Sequence, residues 1–268
     1  MKIMINRILI LIIVLTSSHT FAQNDNQLVT NDHFVQNGVI EFEKKSNMYA
    51  LITKKIKGET ESYYKLAFES YKKTNPQFKT TKSKLIFSKN KSIYKWDETN
   101  ETPTNNSWIA DDAMANLKNI IATDLDTQTS ITQKNVYDDL YLVKDSLRKI
   151  DWKITDETRE IAGYECRRAN AIVLDSVYVV AYYTIQIPFS GGPESFTGLP
   201  GTILGLAMPH ENMTWFATKV TEIPVSDKDL APPIKGKPTD NKGLNKTLLE
   251  ALKDWGKWAR KTLQAYSL

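Results

Sequence analysis

The 268-residue chain is 41% hydrophobic, 25% charged and 10% aromatic, with eleven glycines and ten prolines. This composition excludes a collagen, a coiled coil and a wholly disordered chain, and the length fits one domain or two small ones. One cysteine excludes a disulfide scaffold within the monomer, and a net charge of +4 does not by itself mark a nucleic-acid-binding protein.

Residues 1–22 read as a secretory signal. Lys2 and Arg7 form a positive start, residues 8–15 are wholly apolar, and Thr20 and Ala22 place small residues where signal peptidase reads. The segment is too short and wrongly flanked to span a membrane. Its removal leaves 246 of the 268 residues. The net charge falls from +4 to +2, because Lys2 and Arg7 leave without an acidic residue. The cleavage region has no lipobox cysteine, and no later segment approaches a spanning length, so the expected location is the periplasm or the medium.

In chain order, residues 23–36 are polar and read as flexible. Residues 38–44 alternate as a first strand. From 47 to 73 the apolar period is helical, with Gly58 as a break and Asn75-Pro76 as a stop. Strands over 84–87 and 92–96 flank a turn at 89–91, and 97–116 reads as a loop. Further strands are expected over 120–122, 129–132 and 140–143. The second half reads as an antiparallel meander. Its strands are 152–155, one long strand from 159 to 173, then 177–187, 203–208 and 213–223, the last two joined by a turn at 209–212. Residues 37–223 form the expected β-rich domain and 224–243 a Pro/Lys-rich linker. A single amphipathic helix is expected over 244–268. Its apolar face carries Leu244, Leu248, Leu252, Trp255, Trp258 and Leu263, with Gly256 as a weak point.

Two stretches carry a family resemblance. The first holds Trp152, Ile154, Glu157, Ile161, Gly163, Tyr164, Cys166 and Ala169. The second holds Tyr183, Thr184, Ile187, Pro188, Gly192, Pro193, Phe196, Gly198, Leu199, Pro200, Gly201, Ile203 and Leu204. Together they resemble the GLPGLI family, secreted proteins of Bacteroidota. Thr202 departs from that pattern where the family has leucine, and Tyr182 where it has tryptophan. The resemblance covers residues 30–220, thinly before 140. It implies no established activity. It does imply an envelope role, because such proteins are often encoded beside TonB-dependent receptors.

The residues themselves supply little catalytic machinery. The 191–201 loop lacks both a P-loop ending and the Gly-x-Ser-x-Gly elbow of hydrolases. It reads as a structured turn whose Phe196 and Leu199 plug the core. Cys166 shares its strand face with Tyr164 and Arg168 and reads as a buried thiol. His33 and His210 cannot build a zinc site alone, and no His-Glu-x-x-His, EF-hand or paired-cysteine pattern occurs, so no metal or cofactor is expected. Aromatic residues suggest a binding surface: Tyr178 and Tyr182 on one face of a strand, with Trp152, Trp215 and Phe196 nearby.

The expected fold is α+β, a large curved antiparallel sheet or half-barrel around N-terminal helices, with the C-terminal helix at one edge. The expected function is non-enzymatic binding of a small apolar ligand or of a TonB-dependent receptor. The alternative is a hydrolase or thiol enzyme that uses Ser195 or Cys166 with His210.

Overall fold

Alternation builds the central strand. In β1 (Asn37–Asn47), Gly38, Ile40, Phe42, Lys44 and Ser46 are buried and the residues between them are not. The same period that buries Ile40 and Phe42 therefore carries a lysine into the interior. The computed structural model describes residues 33–56, 61–97 and 108–268. The expected signal, Gly58 and residues 98–107 of the expected loop lie outside the described residues.

From β1 the chain runs as an antiparallel meander through β2 (Phe78–Ser88), β3 (Lys91–Trp96), β4 (Ile120–Asp124), β5 (Thr129–Val136) and β6 (Asp139–Ser146). A second meander follows: β7 (Lys153–Ile161), β8 (Tyr164–Val173), β9 (Val177–Thr184), β10 (Thr202–Met208) and β11 (Met213–Glu222). The two halves join where β11 returns to β1, with Ala217 opposite Phe42 and Trp215 opposite Lys44. The result is one open sheet in the order β12-β6-β5-β4-β3-β2-β1-β11-β10-β9-β8-β7, where β12 is Lys237–Thr239. Register shifts at Glu41/Phe42, Ile203/Gly205 and Ile154/Thr158 add local twist.

The second-half meander is antiparallel as expected, with two corrections. The long strand expected over 159–173 is two strands. Ala162 and Gly163 both take positive φ, 53° and 85°, and turn the chain back so that Ile161 faces Tyr164. Such a pair makes the two-residue turn whose twist suits a hairpin. The segment 224–243 also contributes a strand: β12 (Lys237–Thr239) pairs parallel with β6.

Helices cover part of the sheet. Helix α1 (Met48–Thr53) is capped by Asn47, whose side chain accepts from the Ala50 N–H at 3.1 Å, and it buries Met48, Leu51 and Ile52. Helix α2 (Glu61–Thr74) buries only Tyr71. The single helix expected at the C-terminal end is instead α3 (Asn241–Ala251) and α4 (Lys257–Ser267). The first run ends at Ala251, and residues 252–256 separate the helices; Gly256, whose φ of 54° is open to glycine at little cost, is the N-cap of α4. Leu244, Leu248 and Leu252 stay buried, whereas Trp255 leaves the apolar face and is exposed. Among the described residues no helix is long and apolar enough to cross a membrane.

The main core joins α1 and the segment after Trp108 to β8–β11, with Phe196, Leu199, Ile203 and Trp215 at its centre. A second core holds Ile40, Phe42, Phe87, Cys166 and Phe189. The 185–201 loop ties the two together: Phe189 stacks on Phe87 at 5.7 Å while Phe196 and Leu199 enter the main core. Thr202 has a polar use here. Its buried hydroxyl lies 2.6 Å from the Phe189 carbonyl and 3.1 Å from that of Ile187, so it answers loop carbonyls that a leucine could not.

Gly201 and Gly163 are glycines for different reasons. A Cβ at Gly201 would stand 2.1 Å from the Thr184 carbonyl oxygen, which is backbone and cannot swing aside. A Cβ at Gly163 meets nothing within 4 Å, so only its φ of 85° resists substitution. Gly201→Ala is expected to lower the urea-unfolding free energy by about 3 kcal/mol or more, and Gly163→Ala by about 1 kcal/mol. The opposite ranking would contradict this packing.

Candidate functional site

Two aromatic walls face each other across a cleft of about 480 Å³. One wall is Tyr64 on α2 and Trp108 in a single 3-10 turn (Trp108–Ala110); their rings meet edge to face at 5.2 Å, and Tyr63 stacks on Trp108 at 5.4 Å. The other wall is Tyr137, Trp255 and Tyr266, with Tyr137 5.7 Å from Trp255 and 5.8 Å from Tyr266. Tyr137 reaches this wall from the two-residue turn between β5 and β6, where it holds a positive φ of 53°. An aromatic residue in that region carries local strain, and such strain concentrates at working sites. Trp108 and Trp255 remain 52% and 46% exposed, so the walls are open to a ligand.

The floor is charged. Asp112 lies buried beneath the cleft, where its carboxylate accepts from Lys261 Nζ at 2.8 Å and from the Ala115 N–H at 3.1 Å. Burial alone would raise its pKa. The Lys261 ammonium and those hydrogen bonds, with help from Lys55, outweigh burial and hold the carboxyl below its ordinary range. Lys55 donates to the Ile109 carbonyl at 3.1 Å, and desolvation lowers its pKa.

Behind the floor lies a buried polar network that the sequence pattern did not single out. Lys44 Nζ donates to the Met114 carbonyl at 2.7 Å and sits 5.0 Å from the Trp215 ring centre. Burial lowers its pKa, against the attraction of Glu194 and Asp112. Glu194, buried and at a positive φ of 53°, accepts from Asn119 Nδ2 at 3.2 Å and Tyr94 Oη at 3.4 Å. Lys134 donates to the Tyr266 carbonyl at 2.6 Å, and desolvation brings its pKa down to about 8.

The residues expected to bind ligand fall in three separate places. Phe196 and Trp215 are fully buried in the main core. Trp152 is half-buried and donates from Nε1 to the Thr197 carbonyl at 2.9 Å, which braces the 185–201 loop. Tyr178 and Tyr182 bond to Asn170 Oδ1 at 3.1 Å and Glu157 Oε1 at 3.2 Å, in a polar group that includes Arg168. None of the five lines the aromatic cleft. Its aromatic residues come from five separate elements, so no spacing in the sequence connects them.

The catalytic alternative is not assembled. Ser195 Oγ donates to the Leu268 backbone oxygen at 2.6 Å, Cys166 Sγ lies 3.5 Å from the Tyr164 carbonyl, and the exposed His210 ring packs edge to face on Tyr178 at 6.3 Å. A nucleophile needs its base within hydrogen-bond reach, and His210 reaches neither. Cys166 is fully buried, and desolvation pushes its thiol up to about 12.

A family model described as a protein of unknown function (Porph_ging) matches residues 172–205, from the end of β8 through the glycine-rich loop into β10. No curated protein matches the sequence. Similar solved structures include PNGF-II in two space groups. They are 16% and 14% identical with TM-scores of 0.47, and the alignments cover 76% of this chain and 32% and 31% of theirs. An uncharacterized conserved protein from Thermus thermophilus is 4% identical with a TM-score of 0.36, over 76% of this chain and 90% of that one. The chain thus spans about a third of the length of the PNGF-II chains.

Two outcomes follow from the buried groups. Cys166 should resist a maleimide at pH 8 in the folded protein and react at once in denaturant; rapid native labelling would place it elsewhere. The second outcome concerns pH. Between about 8 and 10.5 the unfolded chain keeps the Lys134 proton that the folded chain has released, so stability rises with pH. Lys44 and Lys55, also lowered, act in the same direction. Above 9 the folded chain keeps the Cys166 proton that the unfolded chain loses, which opposes the rise. Urea melts from pH 8 to 9 should therefore show a Lys134-dependent gain of about 1 kcal/mol, absent in Lys134→Met. An equal gain in the variant would remove Lys134 as its source.

Proposed function

We propose that the protein is a secreted or periplasmic binding protein of the GLPGLI type. Its ligand has a flat or apolar body held between the Tyr64/Trp108 and Tyr137/Trp255/Tyr266 walls. The observation that carries the reading is the cleft itself: two exposed tryptophans face one concavity of the size that small ligands fill. Aromatic walls contribute through area and ring stacking, while the paired Asp112 and Lys261 on the floor offer polar atoms that fix orientation. What supports the location is the positive, apolar and small-residue order of residues 1–22. What supports the family is the run of matched positions from Trp152 to Leu204, which overlaps the matched family model at 172–205.

The test uses N-phenylnaphthylamine, an uncharged aromatic probe whose fluorescence rises in apolar sites. Saturable binding is expected, weakened about threefold to tenfold by Trp108→Ala or Trp255→Ala, in line with the loss of one aromatic contact. Tyr178→Ala, in the polar group on β9, should bind as the parent does. Unsaturable binding, or equal binding by all of these proteins, would overturn the proposal.

A further inference from the structure

Apolar surface at the aromatic cleft extends beyond the cleft itself. Tyr63 and Leu66 lie three residues apart on α2 and therefore share one side of that helix. They are 63% and 73% exposed, and neither lines the cleft. Tyr63 stacks on Trp108, so this side of α2 continues the Tyr64/Trp108 wall outward. On the opposite wall Tyr137 and Trp255 are exposed as well. Among the described residues, the exposed tyrosines and tryptophans, Tyr63, Trp108, Tyr137 and Trp255, all gather at this one mouth. Single exposed apolar residues are ordinary on a protein surface, whereas a contiguous group marks a docking surface.

Charge says what docks there. The sequence of α4 contains Lys257, Arg260 and Lys261 and no acidic residue. α2 carries three lysines against two glutamates. These two helices flank the cleft and together carry +4, as much as the whole chain, so the remaining residues are neutral in sum. Acidic groups beside the mouth are already engaged: Asp112 with Lys261, Glu61 with Lys65, Glu69 with Lys72 and Asp111 with Asn116. The surplus positive charge belongs to α4, which borders the cleft through Lys261, Thr262 and Ala265.

We propose that this apolar collar is a docking surface for an anionic lipid bilayer. Tyr63, Leu66, Trp108 and Trp255 would enter the headgroup region, and the basic residues of α4 would meet the lipid phosphates. Tryptophan and tyrosine favour the membrane–water interface, where one end of the ring is dry and the other wet. Each lysine or arginine near an anionic surface adds an attraction that salt screens. An apolar aromatic face with a basic flank suits a protein that lies on a membrane. The docking surface extends the ligand proposed for the cleft and rests on it for its purpose: an apolar ligand would pass between bilayer and cleft without crossing water.

The test is co-sedimentation with vesicles of phosphatidylglycerol mixed into phosphatidylcholine, and with vesicles of phosphatidylcholine alone. The protein should bind the anionic vesicles, less well in high salt and less well without phosphatidylglycerol. Leu66→Glu should weaken that binding about tenfold or more. Ile172→Glu adds the same charge to a comparably exposed residue of β8, one whose neighbours Ala171 and Val173 are buried, and should bind as the parent does. All three proteins share residues 1–22, so the apolar start of the chain cannot produce a difference between them. Leu66 lies outside the cleft, so Leu66→Glu should bind N-phenylnaphthylamine in vesicle-free solution as the parent does. Vesicle binding without probe binding would sink the ligand proposed for the cleft and leave the docking surface standing. Absence of binding to anionic vesicles would overturn the docking surface and leave the collar to a protein partner. Equal binding by parent and Leu66→Glu, or an equal loss in Ile172→Glu, would overturn it too.

Discussion

The structure rests on basic side chains that satisfy the backbone of the segments lying over the sheet. Those segments are irregular or end in helix termini, and their buried carbonyls need donors. Lys44 from β1 reaches the Met114 carbonyl, Lys55 reaches that of Ile109, and Lys134 from β5 reaches that of Tyr266. Arg148 does the same for Ser267. The Lys44 and Lys134 bonds fasten covering segments to the sheet, and the Lys55 bond ties two covering segments together; each desolvates a charge, and the lowered pKa values of Lys44, Lys55 and Lys134 record that cost. Removing one of these donors would leave a carbonyl unanswered and loosen the cover at that point.

The aromatic cleft is a consequence of this arrangement. The sheet is two antiparallel meanders joined at β1 and β11 and left open. Cover arrives from far apart in the chain: α1, α2 and the segment after Trp108 from one side, α3 and α4 from the other. These covers leave a gap, which Tyr64, Trp108, Tyr137, Trp255 and Tyr266 line. The ion pair between Lys261 and Asp112 spans that gap at its floor, so one salt bridge links α4 to the segment after Trp108.

Much of the sheet was legible from local pattern. Alternation marked β1, and runs of β-branched and aromatic residues marked β2, β3 and the strands of the second meander. The Pro209–Asn212 turn was readable too, with Met208 opposite Met213 as its closing pair. The misses have specific causes. Ala162-Gly163 interrupts a continuous strand pattern by φ alone, and one alanine-glycine pair does not announce a hairpin. β12 is three residues long and exists because β6 offers an edge to it. The 244–268 stripe is periodic throughout, yet α3 stops at Ala251 and α4 starts only after Gly256, which takes a positive φ, and Trp255 between them is exposed.

Taken alone, the sequence determined the β-rich class, the strand faces, the burial of Cys166 and the structured character of the 191–201 loop, because each follows from neighbours a few residues apart. Tertiary structure alone decided which aromatic residues share a cavity. It placed Trp215 and Phe196 in the core, Tyr178 and Tyr182 in a polar group with Glu157 and Asn170, and Tyr64, Trp108, Tyr137, Trp255 and Tyr266 around the cleft. It also decided that Glu194, one polar residue in a loop read as packing, lies near two buried lysines. The physical reason is range. A strand's period acts between residues two apart, whereas a cavity is bounded by elements that meet only after the sheet has folded and its buried carbonyls have found their donors.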